Sequence, residues 1–403
     1  MDRGTLPSNA GPASAGFPGE RGSRSQRPGR GWARVDWRHA VLGLLLAASA
    51  ALGLMLARRI LLSRVSVQVA SAPRAPGEVP WRGDSQYIVD PVVGWRPRSN
   101  VTIRHRVHSL DGAVWRMCER HQNNLGFIRA TDWHPGGSAP RILLVGDSHM
   151  MGVVSTSENA AALLEARLRG RTGLGSAEVL NASSGYYSFY QYALRATEVA
   201  SLVEPRALVV VVFLGNDILE LEDPSRPHLD DRLEAEPAGA PSSGAKAWHR
   251  LESLQLLPTA RPLFDQGLNQ ASFLQEEPQR RDLLLKKVDR TVEILQELAR
   301  QHRSELLLVL LPSYEMVFPE RAAALAEPVA RLLRGSPNLA LLEDLKGILT
   351  RRGCAFADLL PEFRRRGTDQ LYASDYHIWL EGHQLVAEAV EQQLLTKLAT
   401  GPP

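Results

Sequence analysis

The sequence predicts an α/β fold in which one parallel sheet carries helices on both faces. Short runs of apolar, mostly branched residues recur between residues 141 and 359, as expected for strands buried on both sides. Segments with helical periodicity separate these runs, and such alternation is typical of a doubly wound sheet. Polar residues and glycine directly follow the first three runs, at the sheet edge where such folds place their ligands.

The individual elements follow from this periodicity. The predicted strands cover residues 142–145, 177–181, 207–214, 305–311 and 354–359. The predicted helices cover residues 158–169, 189–202, 281–301, 319–334, 340–351 and 382–398. Residues 222–280 lack apolar periodicity and are rich in Pro, Glu and Gly, which indicates a long surface insertion that could act as a lid.

The N-terminal region predicts a membrane anchor. Residues 1–39 are rich in Gly, Pro, Ser and Arg and predict a disordered basic arm. Residues 40–57 are 18 consecutive residues without a charge, and as a helix they would span roughly 27 Å, close to a bilayer's hydrocarbon thickness. A signal sequence cleaved near residues 48–50 and a helix buried in a soluble core are the alternatives. The long basic arm, and an apolar run that continues past the cleavage site, favour a retained transmembrane helix.

Charge gives this anchor an orientation. The chain has 47 Lys and Arg against 44 Asp and Glu, for a net charge of +3, and residues 1–74 hold 11 Arg against three acids. That arm therefore carries +8 and the remainder −5, so the composition does not indicate nucleic-acid binding. Seven Arg precede the span and four follow it closely, which predicts a cytoplasmic N-terminus. Abundant Arg and Ala with little Lys suggest a bacterium, so the rest of the chain would be periplasmic.

Residues 58–140 connect the anchor to the sheet. Residues 58–80 predict a linker, and residues 81–140 predict an irregular lead-in packed on the main domain, with a hairpin around 101–114. Cys118 and Cys354 could form one disulfide or be two unpaired core residues. The sequence shows neither clustered metal ligands nor a phosphate-binding glycine loop, so no metal or cofactor is expected.

Five residues at the predicted sheet edge suggest nucleophilic acyl chemistry. Ser148, Gly185 and Asn216 each follow a different predicted strand, and Asp375 and His377 precede the last helix. Such chemistry needs a serine nucleophile, a histidine base, a carboxylate that orients the histidine, and donors that stabilise an oxyanion. Other polar residues nearby, Asp147, Asp217 and His383 among them, are expected to support the loops and helix rather than to react.

The motifs resemble those of the SGNH, or GDSL-type, hydrolase family. The matching blocks are Gly-Asp-Ser at 146–148, Asn-Ala-Ser-Ser-Gly at 181–185, Gly-Asn-Asp at 215–217, Asp-Tyr-His at 375–377 and the segment 380–388. The resemblance covers about residues 140–398, although Asp375 lies closer to His377 than is usual in the family. It implies a flavodoxin-like three-layer fold, with the catalytic domain at 141–400. The implied roles are nucleophile for Ser148, base for His377, its partner for Asp375, and oxyanion donors for Gly185 and Asn216.

Together these features predict a membrane-anchored, periplasm-facing serine esterase. The expected substrate is an acyl ester of an envelope polysaccharide, peptidoglycan or lipid, and the bilayer itself is a partner through residues 40–57. An O-acyltransferase that uses the same site is the first alternative, since both reactions pass through an acyl-serine. A catalytically inactive envelope scaffold is the second, because a fold does not guarantee activity.

Overall fold

A computed structural model describes residues 43, 46–50, 68–71, 80–81, 84–171, 176–238, 262–324 and 327–399. The chain divides into two compact units, Met1–Arg64 and Val65–Pro403. In the first unit, residues 43 and 46–50 are helical. The predicted arm, most of the predicted anchor and most of the linker lie outside the described residues. Within the described part, no helix combines the length and apolar character that a membrane crossing requires.

Six strands in the second unit precede the main sheet. They are β1 (Gln68–Ser71), β2 (Pro80–Trp81), β3 (Asp84–Asp90), β4 (Gly94–Pro97), β5 (Val101–His108) and β6 (Trp115–Gln122). They form two antiparallel sheets of three strands, ordered β2-β3-β4 and β1-β5-β6. The hairpin predicted around 101–114 exists and extends to Gln122. The prediction of an irregular lead-in is wrong for β3 and β4, because these short strands bury only part of their residues and show a weak alternating pattern.

The main sheet has five parallel strands, and all five predicted strands are confirmed. They are β7 (Arg141–Val145), β8 (Glu178–Asn181), β9 (Ala207–Phe213), β12 (Glu305–Leu311) and β13 (Ala355–Asp358). Their order is β13-β12-β9-β7-β8, which is the flavodoxin-like order, with its switch point between β7 and β9. Every residue of β7 and β9 is buried, as their continuous apolar sequences require. A separate small pair, β10 (His228–Leu229) and β11 (Ala235–Glu236), is antiparallel.

Helices cover both faces of this sheet. They are α1 (Ser148–Met151), α2 (Ala160–Leu168), α3 (Phe189–Val203), α4 (Pro262–Glu276), α5 (Pro278–Gln301), α6 (Tyr314–Val317), α7 (Pro319–Ala323), α8 (Glu327–Leu333), α9 (Pro337–Arg351), α10 (Leu360–Arg366) and α11 (Leu380–Ala399). The helices α2 and α11 pack together on one face, whereas α3, α5 and α9 pack on the other. Two 3₁₀ turns cover Thr156–Glu158 and Leu219–Glu222. The result is the three-layer sandwich that the resemblance implies.

The predicted surface insertion at 222–280 is only partly a surface segment. Residues 239–261 lie outside the described residues, but α4 contributes buried side chains, including Leu268 and Gln270. Gln270 donates through Nε2 to the Leu214 carbonyl at 2.6 Å and accepts from the Leu219 amide at 3.2 Å. The prediction is wrong for this helix, whose buried residues Leu268, Ala271 and Leu274 form a short apolar face that polar neighbours such as Gln270 interrupt.

Both cysteines are free thiols. Cys118 is buried on β6, and Cys354 is half-buried just before β13. Of the two arrangements that the sequence leaves open, the structure has the unpaired one.

Gly126 provides a test of how the lead-in packs against itself, because it lies close to the Pro97 carbonyl. Gly126 has φ +76°, and a Cβ there would lie 2.4 Å from the Pro97 carbonyl oxygen. Gly126→Ala should therefore cost more than the roughly 1–3 kcal/mol of a strained φ alone. Gly136→Ala is the matched control, because Gly136 has φ +91° with no atom within 4 Å of a Cβ. Urea unfolding should show the larger loss for Gly126→Ala, and equal losses would contradict the clash.

Candidate active site

Ser148 lies at the switch point of the sheet, where β7 turns into the short helix α1. Asp147 caps this helix, with Oδ1 accepting from the His149 amide at 2.8 Å. A side chain at Gly146 would lie 2.7 Å from Met150 Cγ and 3.2 Å from the Val211 carbonyl oxygen, so only glycine fits the turn. Asp147 is buried while Ser148 is half-buried. The turn thus leaves the serine accessible and gives its aspartate neighbour a structural role.

Gly185 lies on the loop that follows β8, the strand next to β7. The loop is tied to the Ser148 turn because the Ser184 amide donates to the Gly146 carbonyl at 3.2 Å. The Gly185 carbonyl accepts from Trp95 Nε1 at 3.0 Å, and its amide N–H makes no hydrogen bond within the described part of the chain. A Cβ on Gly185 would lie 2.4 Å from the Tyr87 hydroxyl. The lead-in therefore packs against this loop and requires glycine there.

Asn216 follows β9, on the other side of β7. The Asp217 carboxylate tightens this turn by accepting from the Phe213 amide at 2.6 Å and the Tyr192 hydroxyl at 2.5 Å. Asn216 is 5% exposed and donates from Nδ2 to Glu220 Oε1 at 2.7 Å. The Phe189 amide donates to the Asp217 carbonyl at 3.3 Å, which joins this turn to the segment after Gly185. Both predicted oxyanion donors thus lie on connected loops that flank Ser148.

His377 and Asp375 share a tight loop before α11. His377 Nδ1 lies 3.1 Å from Asp375 Oδ2, and the His377 amide donates to Asp375 Oδ1 at 3.3 Å. Tyr376 between them has φ +67°, a strained conformation that a functional loop can maintain. The turn is closed by the Ala373 amide, which donates to the His377 carbonyl at 2.8 Å. Although Asp375 and His377 are only two residues apart, this turn places the Asp375 carboxylate beside the His377 imidazole.

Burial and charge shift the pKa values of both members of this pair. Burial lowers the pKa of His377, but the charge of Asp375 outweighs burial and holds that pKa above its usual value. Burial raises the pKa of Asp375, whereas the charge of His377 dominates and keeps that carboxyl below its usual range. The shifts describe a carboxylate that stays ionised and stabilises an imidazolium beside it.

His149 connects the serine to the histidine loop. Its Nδ1 accepts from the Ile378 amide at 3.1 Å, and its ring centroid lies 5.0 Å from that of His377 and 3.7 Å from that of Phe213. Burial lowers the pKa of His149 well below its usual value, so the ring is neutral. His149, which follows Ser148, and Ile378, which follows His377, are therefore in direct contact. His149 is fully buried and serves this link, a role that its sequence position did not reveal.

The other histidine singled out in the sequence, His383, has a structural role. His383 is buried in α11, its Nδ1 accepts from the Ala160 amide at 3.3 Å, and burial lowers its pKa to about 3. Within the described part of the chain, no group of three or more His, Cys, Asp or Glu side chains is arranged to hold a metal ion.

Replacing the carboxylate of the histidine pair should change the pH dependence of catalysis. If His377 is the catalytic base, it must be unprotonated to act, so kcat/KM should fall as the pH drops through the pKa of His377, above about 6.5. Asp375→Asn removes the group that raises this pKa, so the acidic limb should move to lower pH while kcat drops about 10²- to 10⁴-fold. Asp289→Asn, which loses a carboxylate paired with Arg352, is the matched control and should leave the profile unchanged. An acidic limb that does not move in Asp375→Asn would contradict this assignment.

Comparison with known proteins gives a distant likeness. No protein-family model and no curated protein matches the chain. Among solved structures, an acetyl xylan esterase, AlAXEase, matches with 14% identity and a TM-score of 0.38, over 63% of this chain and 99% of that one. An acetylxylan esterase from Geobacillus stearothermophilus has 14% identity and a TM-score of 0.36, over 64% and 95%. A lipase/acylhydrolase from Enterococcus faecalis has 14% identity and a TM-score of 0.34, over 66% and 98%. Likeness at this level transfers no activity, so function must be argued from the site.

Proposed function

We propose that this protein is an SGNH-type serine hydrolase that cleaves acyl esters through an acyl-Ser148 intermediate. The observation that carries the proposal is the His377–Asp375 pair, with 3.1 Å between Nδ1 and Oδ2, in a loop bound to the residue after Ser148. Gly185 and Asn216 supply potential donors from the two strands that flank β7. A nucleophile, an oriented base and two oxyanion donors on one edge of the sheet are the groups that acyl transfer needs.

In the proposed reaction Ser148 Oγ attacks the ester carbonyl carbon and passes its proton to Nε2 of His377. The Gly185 amide and the Asn216 side chain donate hydrogen bonds to the oxyanion as it forms. The intermediate collapses to the acyl-serine, and the alkoxide leaves with the proton from His377. Water then attacks the acyl carbon while His377 takes its proton. The acid is released, and Ser148 recovers its hydrogen.

Turnover with a short acyl ester tests the proposal. The domain should release acetate from 4-nitrophenyl acetate, and parallel incubations with oligosaccharide acceptors should yield free acid as the main product. Acyl groups recovered mainly on the sugar would instead identify the O-acyltransferase, which shares every step up to the acyl-serine. Absence of both products from correctly folded protein would contradict the enzyme and favour the scaffold.

We also propose that the enzyme faces the periplasm from a single membrane anchor at residues 40–57. The support is the uncharged run and the Arg-rich arm before it. Protease added to spheroplasts should digest residues 75–403 and leave the N-terminal arm protected. A catalytic region that stays protected until the membrane is lysed would contradict this topology, and the envelope substrates with it.

A further inference from the structure

A buried carboxylate holds the side-chain amide of Asn216. Glu220 Oε1 accepts from Asn216 Nδ2 at 2.7 Å, and Glu220 is 2% exposed. A carboxylate only accepts hydrogen bonds, so it fixes which end of the amide faces it and leaves the second N–H of Nδ2 available. Asn216 Oδ1 is buried and has no hydrogen-bond partner within the described part of the chain. The amide orientation is thus set by Glu220 alone among these residues.

Arg226 holds Glu220 and reaches the opposite loop. Its Nη1 and Nη2 bind the two carboxylate oxygens of Glu220 at 2.7 and 3.0 Å. Its Nε donates to Asp223 Oδ2 at 2.7 Å. Nη1 also donates to the carbonyl of Tyr186, the residue that follows Gly185. One guanidinium therefore connects the Asn216 turn to the Gly185 loop.

Tyr186 is itself held in an unusual conformation. It has φ +66°, which costs a tyrosine on the order of 1–3 kcal/mol. Arg226 holds its carbonyl, and Trp95 holds the preceding carbonyl through Nε1 at 3.0 Å. The guanidinium also lies 5.8 Å from the Trp95 ring centroid. These contacts fix the two peptide groups that flank Tyr186.

Stability does not explain a buried ion pair at this place. The side chains of Glu220 and Arg226 are 3% and 12% exposed, and the desolvation of such a pair offsets most of its attraction. Burial raises the pKa of Glu220 to about 7, although the charge of Arg226 opposes this rise. A pair that contributes little net stability can still select one arrangement of the groups around it.

We propose that Glu220 and Arg226 are positioning residues that hold the two oxyanion donors, Asn216 and Gly185, at a fixed separation. The inference rests on the proposed esterase function and adds a pair outside the predicted motifs. Glu220 orients the Asn216 amide, Arg226 fixes Glu220, and the same guanidinium anchors the loop of Gly185. The donors are therefore already in place before the oxyanion forms.

Substitution of Glu220 should lower kcat through Asn216. Glu220→Gln can accept from Asn216 or donate to it, so it no longer selects one amide orientation. The comparison is made at pH 8.5, where Glu220 of the wild type is ionised. There the kcat of Glu220→Gln should be about 10- to 100-fold below that of the wild type, with KM changed by less than about threefold. This fall in kcat is smaller than the fall expected when a whole oxyanion donor is removed. Asn216→Ala should cost about 10²- to 10³-fold. When Glu220→Gln is added to Asn216→Ala, kcat should fall by less than about a further threefold, because both substitutions act on the same donor.

Controls separate positioning from folding. Glu391→Gln removes a carboxylate whose side chain is 6% exposed and which binds Arg167 and Arg171, and it should leave kcat unchanged. Arg226→Lys should retain more activity than Arg226→Met, because lysine keeps a charge beside Glu220.

Three outcomes would overturn the positioning role. The first is that Glu220→Gln lowers kcat by the same factor in the wild type and in the Asn216→Ala background. The second is that Glu220→Gln changes KM but not kcat. The third is that Glu391→Gln lowers kcat as much as Glu220→Gln does. Retained turnover in Ser148→Ala would instead reject the proposed function. The positioning role would then be tested by crystal structures of Glu220→Gln, and it fails if the Asn216 amide and the Tyr186 carbonyl stay in place.

Discussion

Ser148→Ala is expected to reduce ester turnover by about 10⁴-fold or more, while the protein keeps its fold. The hydroxyl is the only proposed nucleophile, and removal of a triad serine leaves just the contribution of binding and the oxyanion hole. Stability should hardly change, because Ser148 is half-buried and no side-chain hydrogen bond of Ser148 occurs in the described part of the chain. The measurement is kcat for a short acyl ester, together with the thermal midpoint of each variant.

Ser184→Ala is the matched control for this experiment. Ser184 is buried one residue before Gly185, and its hydroxyl donates to the Gly185 carbonyl at 3.3 Å. Its loss should affect turnover far less than the loss of Ser148. Comparable activity in Ser148→Ala and the wild type would show that Ser148 is not the nucleophile.

His377→Ala should produce a loss of similar size. Without the imidazole no group accepts the Ser148 proton, and the Asp375 charge is left without its partner. Because triad members act as one unit, the double variant Ser148→Ala/His377→Ala should be no slower than either single variant. His383→Asn, which changes a buried histidine of α11, is the control and should retain most of kcat. Additive losses in the double variant would show that Ser148 and His377 do not act together.

The buried parallel strands could be predicted because each strand carries its own signal. The run at 207–214 became β9, Ala207–Phe213, since a strand covered by helices on both faces is apolar at every position. The lead-in lacks such a signal. In β5, Val101–His108, only alternate residues are buried, and the exposed ones include Arg104 and Arg106. This alternation predicted the hairpin around 101–114, but its extension to Gln122 and the separate sheet β2-β3-β4 cannot be recognised without knowing which strands pair.

The sequence could predict that the site residues lie close together because the topology of a parallel sheet requires it, not because of the chemistry of each residue. Strands that run parallel end on one edge, so residues far apart in sequence could be expected to meet there. The supporting residues had no such rule. Trp95 reaches Gly185 across 90 positions, and Arg226 reaches Tyr186 across 40. These contacts depend on how the lead-in and the segment after β9 fold onto the sheet edge.

The most direct test of the central claim is the mapping of a covalent adduct on the folded enzyme. A fluorophosphonate ester reacts with an activated serine, and peptide mass spectrometry then identifies the modified residue. We expect a single adduct at Ser148 in the wild type, a much slower reaction in His377→Ala and none in Ser148→Ala. An adduct at another residue, or no adduct on correctly folded wild-type protein, would contradict the claim that Ser148 is an activated nucleophile.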